Sequence, residues 1–532
     1  MSIIFQKRKH LQQHEDLSDL YAQIVKDRGK PQNHWEVSAL LEIYGIRDID
    51  AVNDYGFANV FDMGEYMTKY IETRKYESKE LVNWEELPPL GIRVFKNYIK
   101  GLAFAMPMFV QIFFTLTVGY ALWSSITLDV ETATAVALGT FLALIVTGSA
   151  SQAIGRKGLY YLKQEEYVLA SNITTILFNI GIVMVIVVGI VLVLFNMFFH
   201  FLPVYYYTVL MGFYVLLSIL FLNIAIYYMF EDYAKILYFF LAGMVLTYLS
   251  HVILGVGLPF AQFIALVVLD MIISFFAYRK VKKLKDNTKS EGEGNPRASI
   301  LFYSLMPFYA YGFFYFVFLI ADRIIAWSTE IDAKPYFIWF NVPYELGLDW
   351  ALISLIFMMG ATEVSIYEFM YRINDLVAKY KSRNYQDFND KVYSFFKKFN
   401  VLYVFLATFI ILIVYFVVYI IHATTHYEGV SIFFQSFTPF VYWVGALSYA
   451  FMVNGLMNVL FMFSFSRQGF SLNSIVIATI INIIVGIILS RMFGLQYAVF
   501  GLLIGSIVFW YISFSYAKKM FKNLEYYYYS SF

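Results

Sequence analysis

The sequence predicts an all-α, polytopic membrane protein: about twelve transmembrane helices in two six-helix lobes, preceded by a small helical cytoplasmic domain. Three observations carry this. Of 532 residues, 60% are hydrophobic and only 14% charged, with a mean hydropathy of +0.63; a soluble domain keeps roughly a quarter of its residues charged. Apolar runs recur at lengths of about 20 residues, enough to cross hydrocarbon as a helix. Basic residues cluster between alternate runs. Unpaired backbone groups are not tolerated in lipid, so uninterrupted runs mean helices. The alternating pattern of a membrane barrel is absent.

Residues 1–95 form the first block. Residues 1–100 hold 14 Lys/Arg and 16 Asp/Glu, a density that belongs in water. Apolar residues recur at helical spacing in "HWEVSALLEIYGI" and "FANVFDMGEYMTKYIE", which predicts a folded helical domain. No cleavable signal peptide is visible, so the first hydrophobic span, near Gly101, is expected to direct insertion. Pro88, Pro89 and Gly91 read as a linker.

Twelve apolar spans follow, near 100–126, 132–154, 168–195, 204–230, 234–256, 258–278, 299–327, 349–370, 400–422, 438–464, 472–490 and 496–517. With the N-terminus in the cytoplasm, inner loops and the tail carry 22 Lys/Arg and outer loops two, Lys334 and Arg491. The positive-inside rule therefore places both termini in the cytoplasm of a cell membrane. The charged, Gly- and Ser-containing stretch at 279–298 reads as a cytoplasmic linker. It divides an N-lobe, residues 96–278, from a C-lobe, residues 299–517, with a tail at 518–532. Spans 1 and 7 echo one another: Met106-Pro107 and Met306-Pro307 near their starts, Trp123-Ser124 and Trp327-Ser328 near their ends. Two parallel repeats would put a cavity on the pseudo-twofold axis between them.

Enzyme signatures are missing: no P-loop, no HExxH and no dinucleotide fingerprint occurs. Cysteine is absent, which excludes disulfides and thiolate chemistry. The histidines are scattered, and His422 with His426 at the end of span 9 is read as interfacial. "RDID" at Arg47–Asp50 is read as surface acid. No cofactor, metal or nucleic-acid partner is implied, and the net charge of +1 points to no partner.

Ionisable residues inside spans are more informative, since each costs a few kcal/mol at the bilayer centre unless paired or hydrated. Asp270 lies in span 6, Asp322 and Arg323 near the outer end of span 7, and Glu363 and Glu368 in span 8 ahead of Arg372. One reading makes Asp270, Arg323 and Glu363 cavity groups for substrate or ion. The other hydrates Asp322 and Arg323 at the interface and pairs Glu368 with Arg372 one turn on. Gln111, Gln152, Asn179, Asn223, Asn454, Asn458 and Asn482 are uncharged polar groups at depth, of the kind that bond helix to helix. Asn454 and Asn458 share one face, which should be turned from lipid.

The chain resembles the multidrug/oligosaccharidyl-lipid/polysaccharide (MOP) flippase superfamily, and more narrowly the membrane component of Pel exopolysaccharide export systems. The carrying segments are "TGSASQAIGRKGLYYLKQEEY", "FLIADRIIAWS", "GATEVSIYEFMYRINDLVAKY" and "GLQYAVFGLLIGSIVFWYISF", within about residues 96–517. The resemblance implies outward movement of a polysaccharide or lipid-linked saccharide by alternating access. It also implies a cytoplasmic glycosyltransferase and accessory membrane proteins as partners. Asp322 and Arg323 match its helix 7 pair; Glu363, Ser365, Glu368 and Arg372 match its helix 8 pattern. Gln111, Asp270, Asn454 and Asn458 complete the candidate cavity residues. About 95 residues before the first span depart from the pattern. Two alternatives remain: a multidrug exporter of the same superfamily, and a membrane-embedded glycosyl- or acyltransferase, which would need an acid dyad or a histidine facing the cytoplasm.

Overall fold

The computed structural model describes residues 34–70, 88–164, 166–286, 298–329, 337–379, 385–425 and 436–529, with positions 17, 19–22, 24, 31 and 434. Much of the expected linker at 279–298, together with Lys334 and His426, lies outside the described residues. The chain forms two units, Met1–Pro89 and Leu90–Phe532.

In the first unit, helices His34–Ile43, Asp48–Asn53 and Val60–Tyr70 bury Val37, Leu41, Ala51, Val60, Met63 and Met67 in a core of their own. The first helix ends where Gly45 takes a φ of +85°; the Ile46 amide donates back to the Leu41 carbonyl at 3.0 Å, closing the last carbonyls in a left-handed cap. Asp48 accepts the Val60 amide at 2.9 Å, joining the second helix to the start of the third. The Arg47 side chain and amide both donate to Asp50, which holds the Asp50 carboxyl below its ordinary range.

The second unit contains twelve helices long and apolar enough to cross a membrane: α1 Leu90–Val118, α2 Val130–Lys163, α3 Tyr167–Phe199, α4 Val204–Met229, α5 Tyr233–Ile253, α6 Leu258–Lys285, α7 Tyr303–Trp327, α8 Val342–Ile373, α9 Gln386–Thr424, α10 Thr438–Ser464, α11 Gln468–Phe493 and α12 Leu495–Lys522. This is a multi-pass membrane protein built from helices, with no named strand among the described residues. Several bounds differ from the sequence reading. α1 starts at Leu90, directly after Pro88-Pro89, because proline suits the start of a helix as well as a linker. α6 continues as helix to Asp286, so the first residues of the expected linker are helical. α8 starts at Val342, where the Asn341 side chain accepts the Tyr344 amide at 3.1 Å and caps the first turn.

The two lobes repeat one packing scheme. In the N-lobe, α2 packs on α3 and α4, α1 on α5, and α6 on α3, α4 and α5; in the C-lobe, α8 packs on α9 and α10, α7 on α11, and α12 on α9, α10 and α11. Across the lobes α1 meets α8 and α2 meets α7, the exchange expected of a pseudo-twofold. Burial follows: α10 is 78% buried at the heart of its lobe, and α3, which has the highest hydropathy, only 22%, the pattern of a helix at the lobe's periphery. Both crossings are made by glycines. A Cβ on Gly101 of α1 would lie 2.9 Å from the Gly360 Cα of α8, and one on Gly312 of α7 would lie 2.6 Å from the Gly148 carbonyl of α2. Close backbone approach through small residues is how helices associate where lipid supplies no hydrophobic drive.

Candidate functional site

Both chain ends of the twelve-helix body lie at one face, here the proximal face. At that face α1 and α8 are joined by charge. Arg93 donates two hydrogen bonds to Glu368, Nε to Oε1 at 3.0 Å and an Nη to Oε2 at 2.9 Å, and its guanidinium lies 4.5 Å from the Tyr371 ring. Glu368 is 2% exposed, and its partner is Arg93 in the other lobe, not Arg372, as helical spacing suggested. Arg372 instead lies 4.5 Å over Phe395. Lys100 of α1 pairs with Glu363 of α8 at 3.3 Å and with Glu231 at 3.4 Å, and Lys163 reaches Glu231 at 3.5 Å. The Glu363 side chain is 36% exposed; it is a proximal, hydrated group, not the deep carboxyl its position in the apolar run suggested. Ser365 bonds back to the Ala361 carbonyl at 2.8 Å within its own helix.

At the distal face a second charged cluster is buried. Arg323 of α7 pairs with Glu345 of α8 and lies 3.8 Å from Asp349. Trp327 donates its indole N–H to Glu345 at 2.9 Å, and Tyr344 donates its hydroxyl to Asp322 at 2.9 Å. Asp322 is 0%, Glu345 5% and Arg323 8% exposed, so the reading that hydrated Asp322 and Arg323 at the interface is corrected. Tyr449 of α10 lies beside the guanidinium. Across the lobe boundary, Phe141 of α2 stacks on Trp327 at 5.3 Å and faces Arg323 at 6.0 Å. Three carboxyls thus surround one guanidinium. Fully ionised, the set would carry a net charge of two negatives at low dielectric, where unpaired charge is strongly disfavoured. Such a cluster can exchange positive charge. Among the described residues no cluster of three or more His, Asp or Glu side chains could hold a metal ion.

The remaining candidates are not on either crossing. Gln111 donates to Ser124 at 3.0 Å and accepts the Leu122 amide at 3.2 Å, holding the loop after α1. Asp270 is 6% exposed inside the N-lobe, with neither carboxyl oxygen hydrogen-bonded. One turn on, Ser274 takes the Asn223 amide at 2.8 Å. Asn458 donates to Ser513 of α12 at 3.3 Å, Asn454 is 4% exposed, and Gly455 between them packs against Phe509 of α12. That face is turned from lipid, into the C-lobe.

Arg93 and Glu345 were missed because the starts of α1 and α8 were placed too late; Lys100 and Asp349 stand first in the predicted spans and were not singled out. The signals were present: Pro88-Pro89 before α1, and Asn341 with Pro343 and Glu345 at the start of α8.

This arrangement is a MATE-like transporter fold. The chain is similar to a mutant of the MATE transporter VcmN from Vibrio cholerae, with a TM-score of 0.56 at 11% identity over 81% of this chain and 96% of that one. It is similar to an outward-facing multidrug resistance MATE transporter of the MOP superfamily, at 0.53 and 16% identity over 82% and 97%. It is also similar to a MOP superfamily transporter from Pyrococcus furiosus, whose reversed pocket polarity is said to suggest a different function, at 0.52 and 14% identity over 82% and 97%. At these identities the likeness is one of fold. No protein-family model and no curated protein matches the sequence.

Proposed function

We propose that the chain is an alternating-access exporter of the MOP superfamily that moves a polysaccharide or lipid-linked saccharide out of the cytoplasm. The observation that carries this reading is the polar, breakable junction between two pseudo-symmetric lobes. Arg93–Glu368 and Lys100–Glu363 close the proximal face through ion pairs, which water can replace when the lobes part; a rigid apolar core could not be wetted at comparable cost. In this reading the proximal face is cytoplasmic, in keeping with the 22-to-2 basic-residue split. The distal Arg323, Glu345, Asp349 and Asp322 cluster exchanges a proton, or a cationic group of the substrate, as the lobes move. The superfamily's drug exporters share the fold, but the residues that carry the Pel-type resemblance lie at the lobe junction: Arg323, Glu363 and Glu368. A cytoplasmic glycosyltransferase and accessory membrane proteins would supply the growing chain.

The test is transport by the purified protein in proteoliposomes. Under an imposed pH gradient, short amino-sugar oligosaccharides loaded on one side should cross at a rate well above protein-free vesicles, while a hydrophobic cationic dye should not. Dye movement with no saccharide movement would replace this reading with the drug-exporter one. A sugar-nucleotide donor consumed without transport would point to a transferase.

A further inference from the structure

We infer that Arg156 and Gln152 of α2, with Tyr311 of α7 and Phe463 of α10, form an oxyanion-binding subsite between the lobes. The inference rests on the exporter reading and names a feature of its substrate. Counted along the sequence, Arg156 belongs to a cytoplasmic loop; in the structure it lies inside α2. There the helix widens into a π turn over Ile154–Gly158, a distortion that often marks functional positions.

The side chains around it are polar and unsatisfied. Arg156 and Gln152 lie one turn apart on the face of α2 that crosses α7, where Gln152 Cγ sits 3.0 Å from the place a Cβ on Gly312 would take. Both are partly exposed, and neither makes a hydrogen bond or ion pair among the described residues. The Arg156 guanidinium lies 4.6 Å over the Phe463 ring. Tyr311 meets the same ring edge-on at 5.2 Å, so it borders the same aromatic face as the guanidinium. Its hydroxyl is buried and has no hydrogen-bond partner among the described residues; Tyr311 is 3% exposed. Tyr315 lies against Tyr311 with ring centroids 6.1 Å apart.

Arg93 and Arg323 each face a carboxylate, whereas Arg156 has no carboxylate partner among the described residues. A cation at this depth without a counter-ion is costly, and the ring face returns only part of the lost hydration. A ligand oxyanion would complete it. The guanidinium fork matches a carboxylate or phosphate bidentately, the Gln152 amide and Tyr311 hydroxyl can donate to the remaining oxygens, and Phe463 with Tyr315 offers apolar faces for a sugar ring. A carboxylated sugar and a lipid-linked saccharide phosphate present the same chemistry here.

Binding to the full-length protein in detergent tests this, with three probes: a uronic acid trisaccharide, geranyl pyrophosphate and a neutral N-acetylhexosamine trisaccharide. At least one anionic probe should bind more tightly than the neutral one. Arg156→Gln should weaken it by about ten- to a hundredfold, and Arg156→Lys should recover part of the loss. Melting temperature should not fall, because the lost contact with the Phe463 ring is offset by removing a cation that has no counter-ion. Which anion responds identifies its source. Equal affinity for all three probes, or an unchanged affinity in Arg156→Gln, would overturn the inference. Saccharide transport with no anion preference would remove this subsite and leave the exporter reading standing; anion binding without saccharide transport would do the reverse.

Discussion

Replacing Arg323 with glutamine is expected to destabilise the protein by about 3–5 kcal/mol and to abolish export. The guanidinium is the counter-charge for Glu345 and Asp349, and Glu345 is 5% exposed. Removing it leaves a buried carboxylate cluster with no cation, and the cost is the desolvation of those groups. From sequence alone, the reading of Arg323 as a cavity group expects its neutralisation to spare stability; the pair with Glu345 reverses that expectation. The rescue is informative. Arg323→Gln combined with Glu345→Gln removes charge of both signs and should recover most of the lost stability, because a neutral pair of similar volume replaces an ion pair. Export should stay absent, because the cluster can no longer exchange charge. Thermal unfolding and export measured on the two variants separate the roles. An Arg323→Gln protein that melts at the wild-type temperature would show that the pair carries no stability. Normal export by the double variant would remove the cluster from the mechanism.

Cross-linking the proximal junction is expected to stop transport altogether. Lys100 and Glu363 face each other across α1 and α8 at 3.3 Å, and the chain has no cysteine, so two introduced thiols are the only ones present. Lys100→Cys with Glu363→Cys, before cross-linking, should retain a substantial share of export. Both side chains are about a third exposed, where an ion pair contributes about 1 kcal/mol or less, and Arg93–Glu368 remains to close the face. A short bismaleimide linking the two should then abolish export, while modification of either single cysteine by a monofunctional maleimide should not. Transport by the cross-linked protein would mean that α1 and α8 need not part.

Much of the architecture was legible because lipid imposes a coarse rule. A helix that crosses hydrocarbon must be long and apolar, and all twelve declared themselves by composition. The Met-Pro echo falls at matching places in the two lobes, since Pro107 and Pro307 lie inside α1 and α7. The site was harder. Hydropathy marks where an apolar run begins, whereas α1 begins ten residues before the predicted span and α8 seven; those extra turns carry Arg93 and Glu345. A charged residue at the end of a helix can still be buried when another lobe covers it, and no one-dimensional pattern records that cover. Glu368 shows the limit most clearly. Its one-turn neighbour Arg372 is the pairing that sequence favours, but the partner it takes is Arg93, 275 positions away. Asn454 and Asn458, by contrast, were placed correctly off lipid, because two polar residues at i and i+4 define a face without any tertiary knowledge.

The most direct test of the central claim is the distance between α1 and α8 at the proximal face. Spin labels at Lys96 and Tyr367, both exposed, can be measured by double electron–electron resonance in lipid nanodiscs, with and without saccharide and across a range of pH. Alternating access predicts two distance populations: a short one, with Arg93 and Glu368 paired, and a longer one whose share changes with saccharide or with pH. A single short distance under every condition would contradict the account, because lobes that never part at this face cannot admit a substrate between them.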